Sequence, residues 1–154
     1  MLVAADPQYL LRLLTIVLEN AGKYTVAGGS VRLGLQVKES QAYFQISDTG
    51  IGIPAADQKR IFERFWRGSN VREANAHGSG LGLALAAWIA DRHRTAIDVY
   101  SIQGSGSSFS WSLPLEPDYN TQETTTCVGI LIDNVPSISM HSSNSALSGP
   151  LHLA

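Results

Sequence analysis

Three stretches of this sequence carry residues able to hold a ligand. In residues 48–54, Asp48-Thr49-Gly50-Ile51-Gly52-Ile53-Pro54, a carboxylate is followed by two alternating glycines. A buried carboxylate beside such a turn accepts a hydrogen bond from an exocyclic amine such as that of adenine, and the glycines let a flat ring approach the backbone. Asp-x-Gly is also ordinary turn chemistry, so the pattern needs company. It has company in residues 78–83, Gly78-Ser79-Gly80-Leu81-Gly82-Leu83, where three alternating glycines lead into an apolar segment. Backbone N–H groups at such a helix start, with the helix dipole, suit phosphate oxygens, although glycines that merely permit tight packing look the same. Neither the Walker pattern nor the dinucleotide spacing is present. The third stretch is Asn20-Ala21-Gly22-Lys23-Tyr24. Magnesium takes oxygen ligands and keeps several waters, so Asn20 together with the phosphates of ATP forms a workable set, with Lys23 as counter-charge and Tyr24 as a ring against the base. Taken singly, such an Asn is a helix cap and such a Lys a solvated charge.

The elements that must position these residues follow from periodicity. Leu10, Leu11, Leu13, Leu14, Val17, Leu18 and Ala21 form one helix stripe, opened by Asp6 as N-cap and Pro7 in the first turn. At about 100° per residue, Ile16, Asn20 and Lys23 are expected together on the edge of that stripe, with Arg12 and Glu19 pointing the opposite way. After a Gly28-Gly29-Ser30 loop, Val31, Leu33, Leu35 and Val37 alternate with polar residues as a half-buried strand does. A second strand carries Ala42, Phe44 and Ile46 on one face, and the two-residue period puts Asp48 on that inward side unless the strand ends first. Pro54 marks a helix start, with Ile61, Phe62 and Phe65 as its apolar cluster. Residues 67–79 read as loop, and 81–90 as a helix apolar almost all round and therefore buried. Two strands, one near Ile97 and Val99 and one through Phe109, Trp111 and Leu113, flank a Gly104-Ser105-Gly106 turn.

A chain of 154 residues fits one domain. We expect that domain over residues 1–116 and a largely disordered Ser/Thr-rich tail over 117–154, in which the apolar patch 127–132 could add an edge strand. A net charge of -2 with 44% hydrophobic residues describes an ordinary globular protein and gives no basic surface for nucleic acid. The single Cys127 forms no internal disulfide, the start lacks the pattern of a secretory signal, and no run approaches a membrane span, so the expected location is the cytoplasm.

The order of these motifs resembles that of the catalytic and ATP-binding domain of sensor histidine kinases. Residues 19–25 look like the second half of the family's N box, 48–53 its first glycine box, 61–67 its phenylalanine box and 78–85 its second glycine box, and 99–115 is similar to its last hairpin. The likeness covers about residues 6–115. It implies an α+β fold, a two-layer α/β sandwich with a mixed sheet and helices on one face, binding ATP with Mg2+. By the same resemblance Asn20 is the metal ligand, Lys23 a phosphate contact, Tyr24 an adenine neighbour and Asp48 the acceptor for the adenine amine. Gly50, Gly52 and Ile53 shape the base pocket; Gly78, Ser79, Gly80, Leu81 and Gly82 line the phosphates. Phe62 and Phe65 anchor a mobile lid over 68–79, and Arg64 or Arg67 reaches the terminal phosphate, which makes Lys23, Arg64 and Arg67 the catalytic candidates.

Two departures qualify this expectation. The position four residues before Asn20, usually Asn in these kinases and Glu in related hydrolytic ATPases, is Ile16, which has no general base to offer water. Transfer to a histidine is less affected, because imidazole is itself the nucleophile. His93-Arg94-Thr95 replaces the family's usual His-Gly-Gly turn. The resemblance further implies a partner: a dimerisation domain bearing the phosphoacceptor histidine, acting in trans or lost from this chain, and beyond it a response regulator. His77, His93, His141 and His152 match none of the family's acceptor contexts. The expected reaction is transfer of the ATP γ-phosphate to that histidine. The rival readings are a degenerate regulatory ATP-binding module without kinase activity, a hydrolytic ATPase, and a protein serine kinase of the anti-sigma-factor type, against which the phenylalanine box argues.

Overall fold

The computed structural model describes residues 3–69 and 78–115, and the backbone of 125–131. Helix α1 (Pro7–Tyr24) starts where Asp6 accepts hydrogen bonds from the N–H groups of Gln8 and Tyr9 at 2.9 and 3.2 Å. Pro7 occupies the first turn, where a missing N–H leaves no bond unmade. Thr25 ends the helix, its hydroxyl donating to the Ala21 carbonyl at 2.6 Å. Leu13, Ile16, Val17 and Ala21 are the buried side chains of this helix.

Four strands form as the alternation predicts: β1 (Ser30–Lys38), β2 (Gln41–Asp48), β3 (Asp98–Ile102) and β4 (Gly106–Pro114). The apolar patch near Cys127 supplies a fifth, β5 (Thr125–Leu131). The sheet order is β3-β4-β2-β1-β5. Every described pair is antiparallel, where a mixed sheet was expected. The reason lies in the connection after β2: the chain crosses over through a helix to β3, which runs the same way as β2, but β4 returns between the two and pairs with both. The α+β, two-layer arrangement itself is as expected.

Ala42, Phe44 and Ile46 stand directly opposite Leu113, Trp111 and Phe109. All six are buried, and the Phe44 and Trp111 rings stack 5.5 Å apart. Together with Val31 and Val37 they meet Leu13, Val17, Ile89 and Ala90 in one core. Each fully buried aliphatic side chain there contributes about 1.5–3 kcal/mol, so this core, and not the exposed ion pairs Lys38–Glu39 and Arg60–Glu63, stabilises the fold.

Two helix expectations need correction. Residues 54–66 form successive turns, closed by bonds from Asp57 to Pro54, Arg60 to Asp57 and Glu63 to Arg60. Their side chains are engaged elsewhere: Gln58 Nε2 donates to the carbonyls of Ile53 and Ser101, and Asp57, buried, accepts from the N–H and hydroxyl of Ser69. With Ile61 the one buried apolar side chain of this stretch, no continuous apolar stripe exists to hold an α-helix. The second correction concerns α2 (Gly82–Arg92), which buries Ala86, Ile89 and Ala90 but leaves Leu81 just before it, Leu85 and Trp88 exposed. Trp88 lies edge-on to Tyr9, with the Arg92 guanidinium over both rings. The turn after α2 keeps a left-handed residue, Arg94 at φ +56°, a conformation glycine adopts without strain.

Candidate functional site

Asp48 is the last residue of β2 and lies inward as its period requires. Across the sheet its partner is Ser107 on β4. Its Oδ1 accepts two backbone N–H groups, from Gly50 at 2.8 Å and Ser107 at 3.3 Å. Burial pushes the Asp48 carboxyl above its ordinary value of 3.8, and these two bonds pull it part of the way back. Oδ2 takes neither bond and keeps its capacity to accept.

The turn after Asp48 is fixed from three sides. Thr49 exchanges bonds with Ser30, the Ile51 N–H donates to the Tyr24 carbonyl at 3.1 Å, and the Ile53 N–H donates to the buried Ser101 hydroxyl at 2.8 Å. Gly52, at φ +64°, lies so close to β3 that a side chain would collide with the Ile102 carbonyl. Gly50 is equally confined, against the Tyr24 carbonyl and the Asp48 carboxylate.

Asp48, Gly52 and Ile53 line one side of an open cleft of about 290 Å³ whose other walls include Asn20, Lys23, Tyr24, Arg67, Gly78, Ser79, Gly80 and Gly82. The glycines matter by closeness. A Cβ at Gly78 would stand 2.6 Å from Lys23 Nζ, and one at Gly82 would stand 3.4 Å from the Ile16 side chain and 3.7 Å from Asn20 Nδ2. Asn20 Nδ2 donates to the Ile16 carbonyl at 3.0 Å, so the amide oxygen is the group left for a ligand. Lys23 Nζ sits 5.0 Å from the Tyr24 ring centre.

Four of the expected site residues stand outside this lining: Gly50, Arg64, Phe65 and Leu81. Gly50 supports Asp48 from beneath. The Phe65 backbone, at φ +63°, donates to the Gly80 carbonyl at 2.9 Å, and Gly80, at φ +70°, has no room for a side chain beside Phe65 and Trp66. Phe65 therefore braces the second glycine turn through its backbone while its ring is 70% exposed. Arg64 and Leu81 are exposed. Of the expected lid, 70–77 and with it His77 lie outside the described residues, as do His141 and His152. His93 is engaged structurally: Nε2 accepts from the Asp6 N–H, and Nδ1 lies 2.8 Å from the Ile89 carbonyl.

The cleft also contains residues that sequence reasoning missed. Arg12 and Glu19, expected to point away, line it beside Ile16. Counting about 100° per residue from Arg12 puts Glu19, Lys23, Ile16 and Asn20 within roughly 100° of one another, a signal the sequence already held. Ser107 and Phe109 enter through the β2–β4 register, and Trp66 and Gly68 through the turn chain.

A carboxylate with an open oxygen, an amide oxygen, a lysine and a glycine-lined helix start around one cleft match the donor set expected for a nucleotide. The donor set also fits a magnesium ion only in company with phosphates, since no group of three His, Cys, Asp or Glu able to hold a metal exists among the described residues. No described helix is long and apolar enough to cross a membrane.

Comparison with known proteins agrees. The chain is 43% identical over 106 residues to the sensor histidine kinase RppB of Synechocystis, a match covering 69% of this chain and 23% of RppB. It resembles the structure of the mycobacterial sensor histidine kinase MprB at 33% identity and a TM-score of 0.64, covering 75% of this chain and 78% of that one. The full-length ShkA structure in complex with AMPPNP is similar at 29% identity and a TM-score of 0.62, covering 74% of this chain and 23% of ShkA. The chain spans about a quarter of the length of the curated relatives it matches. Residues 5–117 match the family model described as histidine kinase-, DNA gyrase B-, and HSP90-like ATPase, and the chain belongs to that family, with an ATP-binding catalytic domain of the sensor-histidine-kinase type.

Proposed function

We propose that the cleft binds ATP as its magnesium complex and offers the γ-phosphate to a histidine on a separate dimerisation domain, from which a response regulator is served. The observation that carries this reading is the convergence of Asp48, Asn20, Lys23 and the glycine-lined start of α2 on one cleft. Asp48 Oδ2 accepts from the adenine amine, with Tyr24, Gly52 and Ile53 around the base. Lys23 and the backbone at Gly78, Ser79, Gly80 and Gly82 take phosphate oxygens, and Arg67, which lines the same cleft, is a further cation for them. Asn20 supplies one oxygen to Mg2+, which when bound neutralises phosphate charge. A cytoplasmic site of action suits a reaction that draws on ATP.

Ile16 separates transfer from hydrolysis. It is 3% exposed and packs beneath Gly82, so no side chain at that place can activate water. A domain built this way holds ATP until an acceptor arrives.

Calorimetry with ATP, with and without Mg2+, tests the site. The wild-type chain is expected to bind ATP more tightly with the metal. Asn20→Ala should remove most of that difference, leaving metal-free affinity within about threefold, since only one ligand oxygen is lost. An unaltered metal dependence would take Asn20 out of the site. Transfer from labelled ATP to a separately made dimerisation domain distinguishes the kinase from a regulatory module that only binds.

A further inference from the structure

The cleft-facing surface of α1 carries two charges that the nucleotide reading does not use. Arg12 and Glu19 line the cleft, yet they form no ion pair with each other. Among the described residues Arg12 makes no hydrogen bond or ion pair at all.

Their place along the helix gives them direction. The base end of the cleft is set by the turn after Asp48, which is bonded to Tyr24 at the C-terminal end of α1. Moving toward the N-terminus, the cleft passes Lys23 beside Gly78, then Asn20 and Ile16 beneath Gly82, and reaches Arg12. Asn20 and Arg12 are about 12 Å apart along the axis. A triphosphate running from Lys23 past Asn20 therefore arrives over Ile16, where the wall is buried and apolar. Ile16 receives no charge, and Glu19 on the same face repels phosphate. The next cation along this face of α1 is Arg12, whose long side chain and forked donors can fold back over one helical turn.

We infer that Arg12 contacts the terminal phosphate of bound ATP and makes the site prefer ATP to ADP. The inference rests on the reading of the cleft as an ATP site. A diphosphate stops short of this level, so the contact is made by ATP alone. It also answers the loss of a polar group at Ile16: charge support for the terminal phosphate comes from one turn further along the same face.

The test is calorimetry of the full 154-residue chain with MgATP and MgADP, for the wild type, Arg12→Gln and Arg12→Lys. The wild type should bind ATP about tenfold more tightly than ADP. Arg12→Gln should bring that ratio close to one with ADP affinity unchanged, and Arg12→Lys should keep part of it. Unchanged ADP binding also reports that the variant is folded. An ATP-to-ADP ratio untouched by Arg12→Gln, or equal losses for the two nucleotides, overturns the inference. Failure of the wild type to bind either nucleotide overturns the ATP reading itself and is a different result.

Discussion

Replacing Asp48 with asparagine is expected to raise the thermal stability of the nucleotide-free domain while reducing ATP affinity about a hundredfold, the equivalent of ~2.7 kcal/mol. The two effects have separate causes in one side chain. Oδ1 of Asp48 takes both backbone N–H groups, and on the proposed reading Oδ2 takes the adenine amine. Asparagine has a single acceptor oxygen. Turned toward Gly50 and Ser107 it preserves the fold and meets the adenine amine with an amide N–H; turned the other way it faces two backbone donors with its own. The stability gain follows from the raised carboxyl. A carboxyl whose folded pKa lies above its unfolded value of 3.8 favours folding fully below that value, and the contribution is lost as pH rises through the folded pKa. At neutral pH the ionised Asp48 is thus carried at a cost that asparagine removes. Melting temperatures of wild type and Asp48→Asn should differ at neutral pH and converge as pH falls through the raised pKa toward 3.8. A variant that melts lower than wild type at neutral pH would show that the carboxylate's bonds outweigh its burial.

The second large effect is expected at Gly52. Alanine there combines a left-handed backbone with a methyl group driven into the Ile102 carbonyl, so the turn or the end of β3 must shift. The expected cost is about 3 kcal/mol, or roughly 10 °C in melting temperature, with loss of nucleotide binding because Ile53 and Asp48 move with the turn. Gly22→Ala is the matched control. It lies within α1 with nothing near the added methyl group, and should instead stabilise by about 0.5–1 kcal/mol without altering ATP affinity. A Gly52→Ala protein as stable as wild type would mean that this turn has slack.

What the sequence revealed and what it hid divide along physical lines. Asp6-Pro7 and the leucine stripe specify α1 locally, and the alternation of Phe44, Ile46, Phe109 and Trp111 specifies two strands with their inward faces. The three site stretches were legible because glycine spacing and the Asn20–Lys23 pair are local features. Ser107 was not, because its claim on Asp48 exists only once β4 has found its register beside β2. The turns over 54–66 escape sequence reading for a similar reason: Asp57 bonds to Ser69 and Gln58 to Ser101, and these bonds to residues outside the segment override a local helical pattern. Trp88 and Leu85 look like core by composition, but among the described residues α2 packs on α1 and the sheet through Ala86, Ile89 and Ala90, and the side carrying Leu85 and Trp88 stays exposed. Arg12 and Glu19 are the opposite case, since simple angular arithmetic places them in the cleft.

The family match stops at residue 117, before β5 begins. Yet β5 pairs with β1 from Ser30 opposite Leu131 to Gln36 opposite Thr125, so it acts as a hem on an otherwise raw border of the sheet. A protein trimmed to the family boundary would keep its cleft and bare that border, inviting like molecules to zip together strand to strand. Light scattering should find the 1–117 fragment associating at concentrations where the full chain does not, and a fragment ending just past Leu131 behaving like the full chain. Anyone preparing the domain for crystals or assays therefore has a practical reason to cut after the hem.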